Sequence, residues 1–316
     1  MSSSLLRAVL LPRLVQAGLV ALLVGVLTFI LVRSLPGDMA YRIAAGRYGY
    51  DMVDTATADA VRRELGLEQP ALSALGGWLW DILRLDFGKS LISGQPVIDE
   101  IAHQLGATIE LSLAAVLLSL LIGPPLGVLA GLRPGGWLDR SLLVVSSGLR
   151  SLPAFVLGLL LIIVLARELG LFPVAGHGGA ANLALPALTL ALGLAAVSAR
   201  VARDAMVGVA QSPYYAFGRT KGLTEREVFA RHGLRNVAVP VVTYLGVQFV
   251  YLIEGVVVVE SLFAWPGIGH ALVHAIFARD VPMIQGSALV MGLMFVVLNT
   301  GVDLACRWLD PRTAHA

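Results

Sequence analysis

The chain has 316 residues, of which 57% are hydrophobic and only 14% charged, with a mean hydropathy of +0.81 and a formal net charge of +2. That apolar excess lies far outside the range of soluble domains and predicts a polytopic membrane protein. The single cysteine, Cys306, excludes an internal disulfide and any thiolate cluster for zinc or iron–sulfur.

Six apolar runs, approximately 12–32, 105–130, 140–166, 183–207, 238–260 and 283–306, each offer the ~20 helical residues that a ~30 Å hydrocarbon core requires. The expected fold is all-α, with six transmembrane helices. The first run is followed by RSLPGD and lacks a small-x-small cleavage site, so it reads as a retained helix and not as a signal peptide. Residues 1–32 then form a cytoplasmic N-terminus and helix 1.

Residues 33–103 depart from the pattern, because acidic side chains outnumber basic ones and the apolar periodicity is mixed. They read as a small external subdomain. Within it, TATADAVRRELGLEQP and GGWLWDILRLDFG are amphipathic helices, the second carrying Trp78 and Trp80 at positions suited to a membrane interface. FGKS at 87–90 ends like a phosphate-binding loop, but Leu83 stands where that loop needs glycine, so no nucleotide is expected here. His270 and His274 have the i, i+4 spacing of a metal-binding helix without the intervening carboxylate of the zinc-protease pattern, and no metal site is expected. No nucleophile–base or paired-carboxylate arrangement is legible, so the chain reads as non-catalytic.

The segment 208–237 differs from everything around it. Arg200, Arg203, Arg219, Lys221, Arg226, Arg231 and Arg235 gather in and just before it against Asp204, Glu225 and Glu227, and the positive-inside rule places it in the cytosol together with both termini. Gly222 separates one helix from the next, and Thr224 followed by Glu227 matches a capping box. The residues Phe217, Gly218, Arg219, Thr220, Lys221, Gly222, Leu223, Thr224 and Glu225 thus form an elbow shaped to grip a partner. The helices themselves carry Gly123-Pro124-Pro125, Pro153, Pro186 and many small residues, which let helices pack closely around a cavity. With no nucleotide site of its own, the chain reads as a permease driven by a separate ATPase.

Two charges lie deep in apolar runs: Arg150, about 12 residues or ~18 Å from the cytoplasmic end of its helix, and Glu254, about 16 residues or ~24 Å from that of its own. A charge at such depth costs ~2.5–3.5 kcal/mol on insertion scales and usually pairs or lines a wet pathway. Both are therefore candidates for the translocation pathway, as a pair or as separate solvated groups. A self-contained channel or secondary transporter is the alternative, but beyond Glu110, Arg150, Glu254 and Asp303 the helices offer few ion or proton groups.

Taken in order, RLVQAGLVALLVGVLTFILVRSLPGD, LGLEQP, LRLDFGKSLISGQPV, GATIELSLAAVLLSLLIGPPLGVLAGL, RTKGLTEREVFARHGLRNVAVPVV, VVVESLFAWPGIGHALVHAIFARDVPMIQG, Asn299, Asp303 and DPR at 310–312 resemble the permease subunits of binding-protein-dependent ABC importers, in the dipeptide/oligopeptide/nickel branch. The resemblance implies the type I importer permease fold, with a transmembrane core at 104–307, a coupling loop at 208–237 and a cytoplasmic tail at 308–316. It implies partners as well: a homologous second permease making a heterodimer, two ATPase subunits carrying ATP and magnesium, an external solute-binding protein and the lipid bilayer of the inner membrane. No cofactor in this chain and no nucleic acid are expected. In such proteins the loop helix seats in the ATPase; here Ala216-Phe217-Gly218 occupies the place of the usual Glu-Ala-Ala, which removes the acidic member. The implied cargo is a small peptide or a nickel or other metal chelate, moved by alternating access. GGWLWDILRLDFG and FPVAGHGG at 172–179 lean toward the nickel systems, and peptide transport stays open.

Overall fold

The computed structural model describes residues 3–34, 37–49, 51, 53–65, 70–84 and 86–309, with the backbone alone described at some helical positions, among them Glu254 and Cys306. The middle of LGLEQP, part of RSLPGD and the tail with DPR at 310–312 lie outside the described residues. The described residues form thirteen α-helices and no strand, only an isolated bridge between Lys89 and Pro96.

Each expected apolar run falls on a helix or a helix pair: α1 (Ser3–Ser34), α5 (Val97–Gly131), α6 (Trp137–Ser151) with α7 (Ala154–Leu161), α8 (Ala180–Ala210), α11 (Leu234–Leu262) and α13 (Val281–Leu309). By length and composition, α1, α5, α8 and α13 are long and apolar enough to cross a membrane, and the α6–α7 pair makes a fifth span if counted as one. At 29 residues, α11 extends ~43 Å. The run at 140–166, expected as one straight span, is instead bent by 107°. Leu152, which precedes Pro153, adopts an extended conformation at φ −87, ψ 128, as the clash with the proline ring favours, and α6 stops there. Beyond α7 the helix widens into π-helical turns over Ile162–Glu168.

The described fold divides into two compact units. The first comprises Met1–Thr108 and Pro266–Val297. It contains α2 (Met39–Tyr48), which the periodicity did not announce, α3 (Thr55–Leu65), α4 (Ala71–Leu83) and α12 (Ile268–Ala278). The two amphipathic helices expected from sequence are present as α3 and α4; α4 ends at Leu83, before the end of its pattern, and residues 66–69 after α3 lie outside the described residues. Ile43, Ala44 and Val61 form the small core between α2 and α3, and Asp38 caps α2 through the Ala40 amide at 2.9 Å while pairing with Arg62. Trp78 of α4 lies against α1 at Gly25, where a Cβ would approach its ring to 2.5 Å. A second core gathers Val97, Ile101, Ile268, Ala275, Met283 and Ile284. The buried Asp280 caps α13 and also accepts bonds from the Ser90 hydroxyl and, at 3.0 Å, from the Leu91 amide. That carboxylate ties a turn 190 residues earlier to the start of the last helix.

The second unit comprises Ile109–Trp265 and Leu298–Ala316. Its centre is α8, half of whose apolar stretch is buried. The C-terminal part of α5 meets α8 along a seam of three glycines four residues apart. A Cβ on Gly123 would fall 2.3 Å from Ser198 Oγ, on Gly127 2.1 Å from the Ala199 carbonyl oxygen, and on Gly131 2.6 Å from that of Arg203. Such small-residue seams let two backbones touch, and van der Waals packing then does what the hydrophobic effect cannot do in lipid. Asp139 in the first turn of α6 clamps α8 through a two-pronged bond to Arg203, both contacts at 2.8 Å, and receives the Gly135 amide at 2.8 Å. The loop before α8 is held to the far end of α11, with the Gly176 amide on the Phe263 carbonyl at 2.9 Å and the His177 ring 4.8 Å from buried Trp265.

Candidate functional site

Between α8 and α11 the chain forms the elbow. Ser212 precedes α9 (Pro213–Thr220), whose proline suits the first turn because the amide it lacks has no intrahelical partner there. Gly222 turns the chain at φ +81, in the left-handed region where a β-carbon is disfavoured, and no atom lies within 4 Å of where that carbon would stand. Thr224 opens α10 (Glu225–Val228) with a complete capping box: the Glu227 amide donates to the Thr224 hydroxyl and the Thr224 amide donates to the Glu227 carboxylate at 2.8 Å. The Thr224 backbone N–H and then its hydroxyl hold the Glu227 carboxyl below its ordinary value. Five wide π-helical residues, Phe229–Gly233, connect α10 to α11.

The elbow has an inside and an outside. Tyr215 and Val228 are fully buried in a core with Ala202, Met206, Val209, Val237 and Val241, and Gly218 lets α9 approach the Val228 methyl groups. The Tyr215 hydroxyl donates to Glu225 Oε2 at 3.2 Å, and Arg219 pairs with Oε1 at 2.6 Å. Burial first, then the negative charge of Glu225, pushes the Tyr215 phenol above its ordinary value. On the outside, Phe217 is 60% exposed, with the Lys221 ammonium 4.6 Å from its ring centre, while Thr220 returns its hydroxyl to the Phe217 carbonyl at 2.8 Å. Leu223 is half-buried against the core. The nine residues from Phe217 to Glu225 are thus brought together on one tip, which presents an aromatic ring, two cations and a glycine turn on a rigid base. Tyr215, the anchor of that base, escaped the sequence reading; the Tyr214-Tyr215 doublet inside a polar loop was its only signal.

Arg150, in the last turn of α6, lines a cavity of about 320 Å³ at the α6–α7 break, with Thr189, Gln248 and Gly255 on its other walls. The side chain of Glu254, the other member of the expected pair, lies outside the described residues. His270 and His274 lie edge to face with ring centres 4.5 Å apart on α12. Among the described residues no group of three or more metal-ligating side chains occurs.

Comparison with known proteins gives one consistent family. The family model described as the binding-protein-dependent transport system inner membrane component matches residues 123–315. A putative peptide transport system permease protein of Brucella melitensis is 39% identical over 98% of this chain and the whole of its own length. The glutathione transport system permease protein of Escherichia coli K12 is 39% identical over 92% of this chain and 93% of its own. Among solved structures, an amino acid ABC transporter "with histidines" superimposes with a TM-score of 0.51 over 66% of this chain and 94% of that one, at 17% identity, a likeness of fold alone.

Proposed function

The chain belongs to the family of binding-protein-dependent transport system inner membrane components, as a multi-pass permease subunit of an ABC importer, and from that membership we propose how it is driven and what it carries. The elbow Phe217–Glu225 is the surface that seats on an ATP-hydrolysing subunit. Exposed Phe217, Arg219 and Lys221, carried on a base fixed by Tyr215 and Val228, are the observation that carries this reading. A rigid tip transmits displacement, whereas a floppy basic loop would only attract.

The remaining assembly follows from the same reading. Two ATPase subunits hold ATP and magnesium, a second homologous permease completes the pathway, and an external solute-binding protein delivers cargo. The elbow and both termini lie in the cytoplasm, and residues 33–103 lie outside. Arg150 and Glu254 line the pathway. The cargo is a small peptide, of the kind named for the Brucella relative, or a peptide conjugate such as the glutathione named for the Escherichia coli one. The sequence lean toward nickel or metal chelates is withdrawn, since relatives matching nearly the whole chain are named for peptide and glutathione transport. The short segments that suggested nickel are mostly α4 and the 172–179 loop, where Trp78 lies against Gly25 and His177 against Trp265.

Cross-linking tests the drive. A cysteine at Phe217, in a Cys306→Ser background, should join this chain to the ATPase subunit of the assembled importer, with yield changing when ATP and magnesium are added. A cysteine at Trp137 should not. Equal yields from the two positions overturn the assignment.

A further inference from the structure

The cavity at the α6–α7 break has a chemistry of its own. Both half-helices, α8 and α11 line it, and Arg150 is the one charged side chain among its described lining residues. Arg150 stands 13 residues into α6, ~20 Å from its first residue, in the last turn before the break. Gln248 and Thr189 supply an amide and a hydroxyl, both nearly buried. The Thr189 hydroxyl donates to the Leu185 carbonyl at 2.8 Å, which leaves Gln248 as the neutral donor beside the guanidinium. Ala154 brings the first turn of α7 to the same wall, and Pro153 ahead of it offers no side-chain cap, so the positive end of that half-helix adds to the field of Arg150. Leucine, alanine and glycine make up the other walls.

Resting on the importer reading, we propose that this cavity is a station for a free carboxylate of the cargo, held two-pronged by Arg150 and flanked by Gln248. Guanidinium and carboxylate match in shape and charge. A volume of about 320 Å³ lies at the low end of the ~300–1,000 Å³ typical of small-molecule sites, which suits a di- or tripeptide. Gly193 and Gly255 add no side chain to the walls. Peptides with a blocked carboxyl terminus pass this station poorly, because the cation that lines it then meets no counter-charge.

The test uses the assembled importer in nanodiscs without its binding protein, titrated with di-alanine and with alanyl-alanine amide, alongside ATP-driven uptake of di-alanine in proteoliposomes with the binding protein present. The intact importer should prefer the acid to the amide by at least tenfold, Arg150→Gln should abolish that preference, and Arg150→Lys should keep part of it. Equal binding of acid and amide by the intact importer, no binding of either, or an undiminished preference in Arg150→Gln overturns the proposal. Should that variant fail to assemble, Gln248→Leu carries the test: selective weakening of the acid supports the station, and an unchanged preference overturns it. Failure of ATP-driven di-alanine uptake by the intact importer, by contrast, counts against the peptide-importer reading, and the binding comparison still decides the carboxylate station.

Discussion

Tyr215 and Glu225 meet across the Gly222 turn, the buried phenol donating to the carboxylate at 3.2 Å. Because the same carboxylate also takes Arg219, one acidic side chain joins the end of α9 to the start of α10 and sets the direction in which Phe217 and Lys221 face. Replacing Tyr215 by Phe keeps the ring and removes the clasp, a loss of ~0.5–1.5 kcal/mol. Hydrogen exchange over 213–228 should quicken while α8 and α11 stay protected.

The same contact predicts a pH dependence. The phenol is held above its ordinary value, so the folded elbow binds that proton more tightly than the unfolded chain does. Its contribution is complete below the unfolded value of ~10 and is lost as pH rises through the higher folded value. Amide exchange over 213–228 should accelerate in alkali in the native chain. Tyr215→Phe should lack that alkaline phase.

Gly222→Leu should impair uptake, and through conformation alone. The φ of +81 makes a β-carbon costly, by ~1–2 kcal/mol, while the surrounding space is open. Gly222→Asn, which tolerates the left-handed region, should retain most activity. Comparable uptake by the leucine and native chains in proteoliposomes, with assembly intact, would count against a fixed turn.

Gly127→Ala should destabilise by ~1–3 kcal/mol, because its methyl would have to displace the Ala199 carbonyl rather than a flexible side chain. Gly208→Ala on α8, with nothing within 4 Å, should be neutral or mildly stabilising. Thermal unfolding of the purified chains in one detergent compares the two.

Asp280→Ala removes the cap of α13 and strands the Leu91 amide. We expect a cost of ~1–3 kcal/mol and new protease sensitivity near 88–94. Asp280→Asn, which keeps a capping oxygen, should lose less.

Cysteines at Ser212 and Ser93, in a Cys306→Ser background, should react with an impermeant reagent from opposite faces of sealed vesicles. Labelling of both from one face overturns the proposed orientation.

Much of this architecture is legible in sequence because lipid imposes long apolar runs: five coincide with single helices and the run at 140–166 with the bent α6–α7 pair. Local chemistry is legible too: Gly222, Thr224 and Glu227 make the turn and cap that their types and spacing foretell. Prolines are another matter. Pro186 and Pro240 stay inside long helices while Pro153 separates two, a difference that residue type alone does not record. Pairings such as Ser90 with Asp280 were hidden by their separation along the chain. The surroundings of Arg150 come from four helices and could not be read from any one of them.

From Glu225 to Leu262 the backbone is helical without interruption, through α10, the π-helical residues and α11. It is therefore a strut. One end carries the Arg219–Glu225 pair, and about 30 residues or ~45 Å further along the contour Gly255 lines the cavity of Arg150. A push on the elbow arrives at that cavity as translation or twist, diminished only where the strut is compliant, at the loosely wound Phe229–Gly233 and at Pro240, which lacks an amide hydrogen. Stiffening that wound segment should lengthen the stroke delivered at Gly255, and loosening it should dissipate the stroke near the cytoplasmic end.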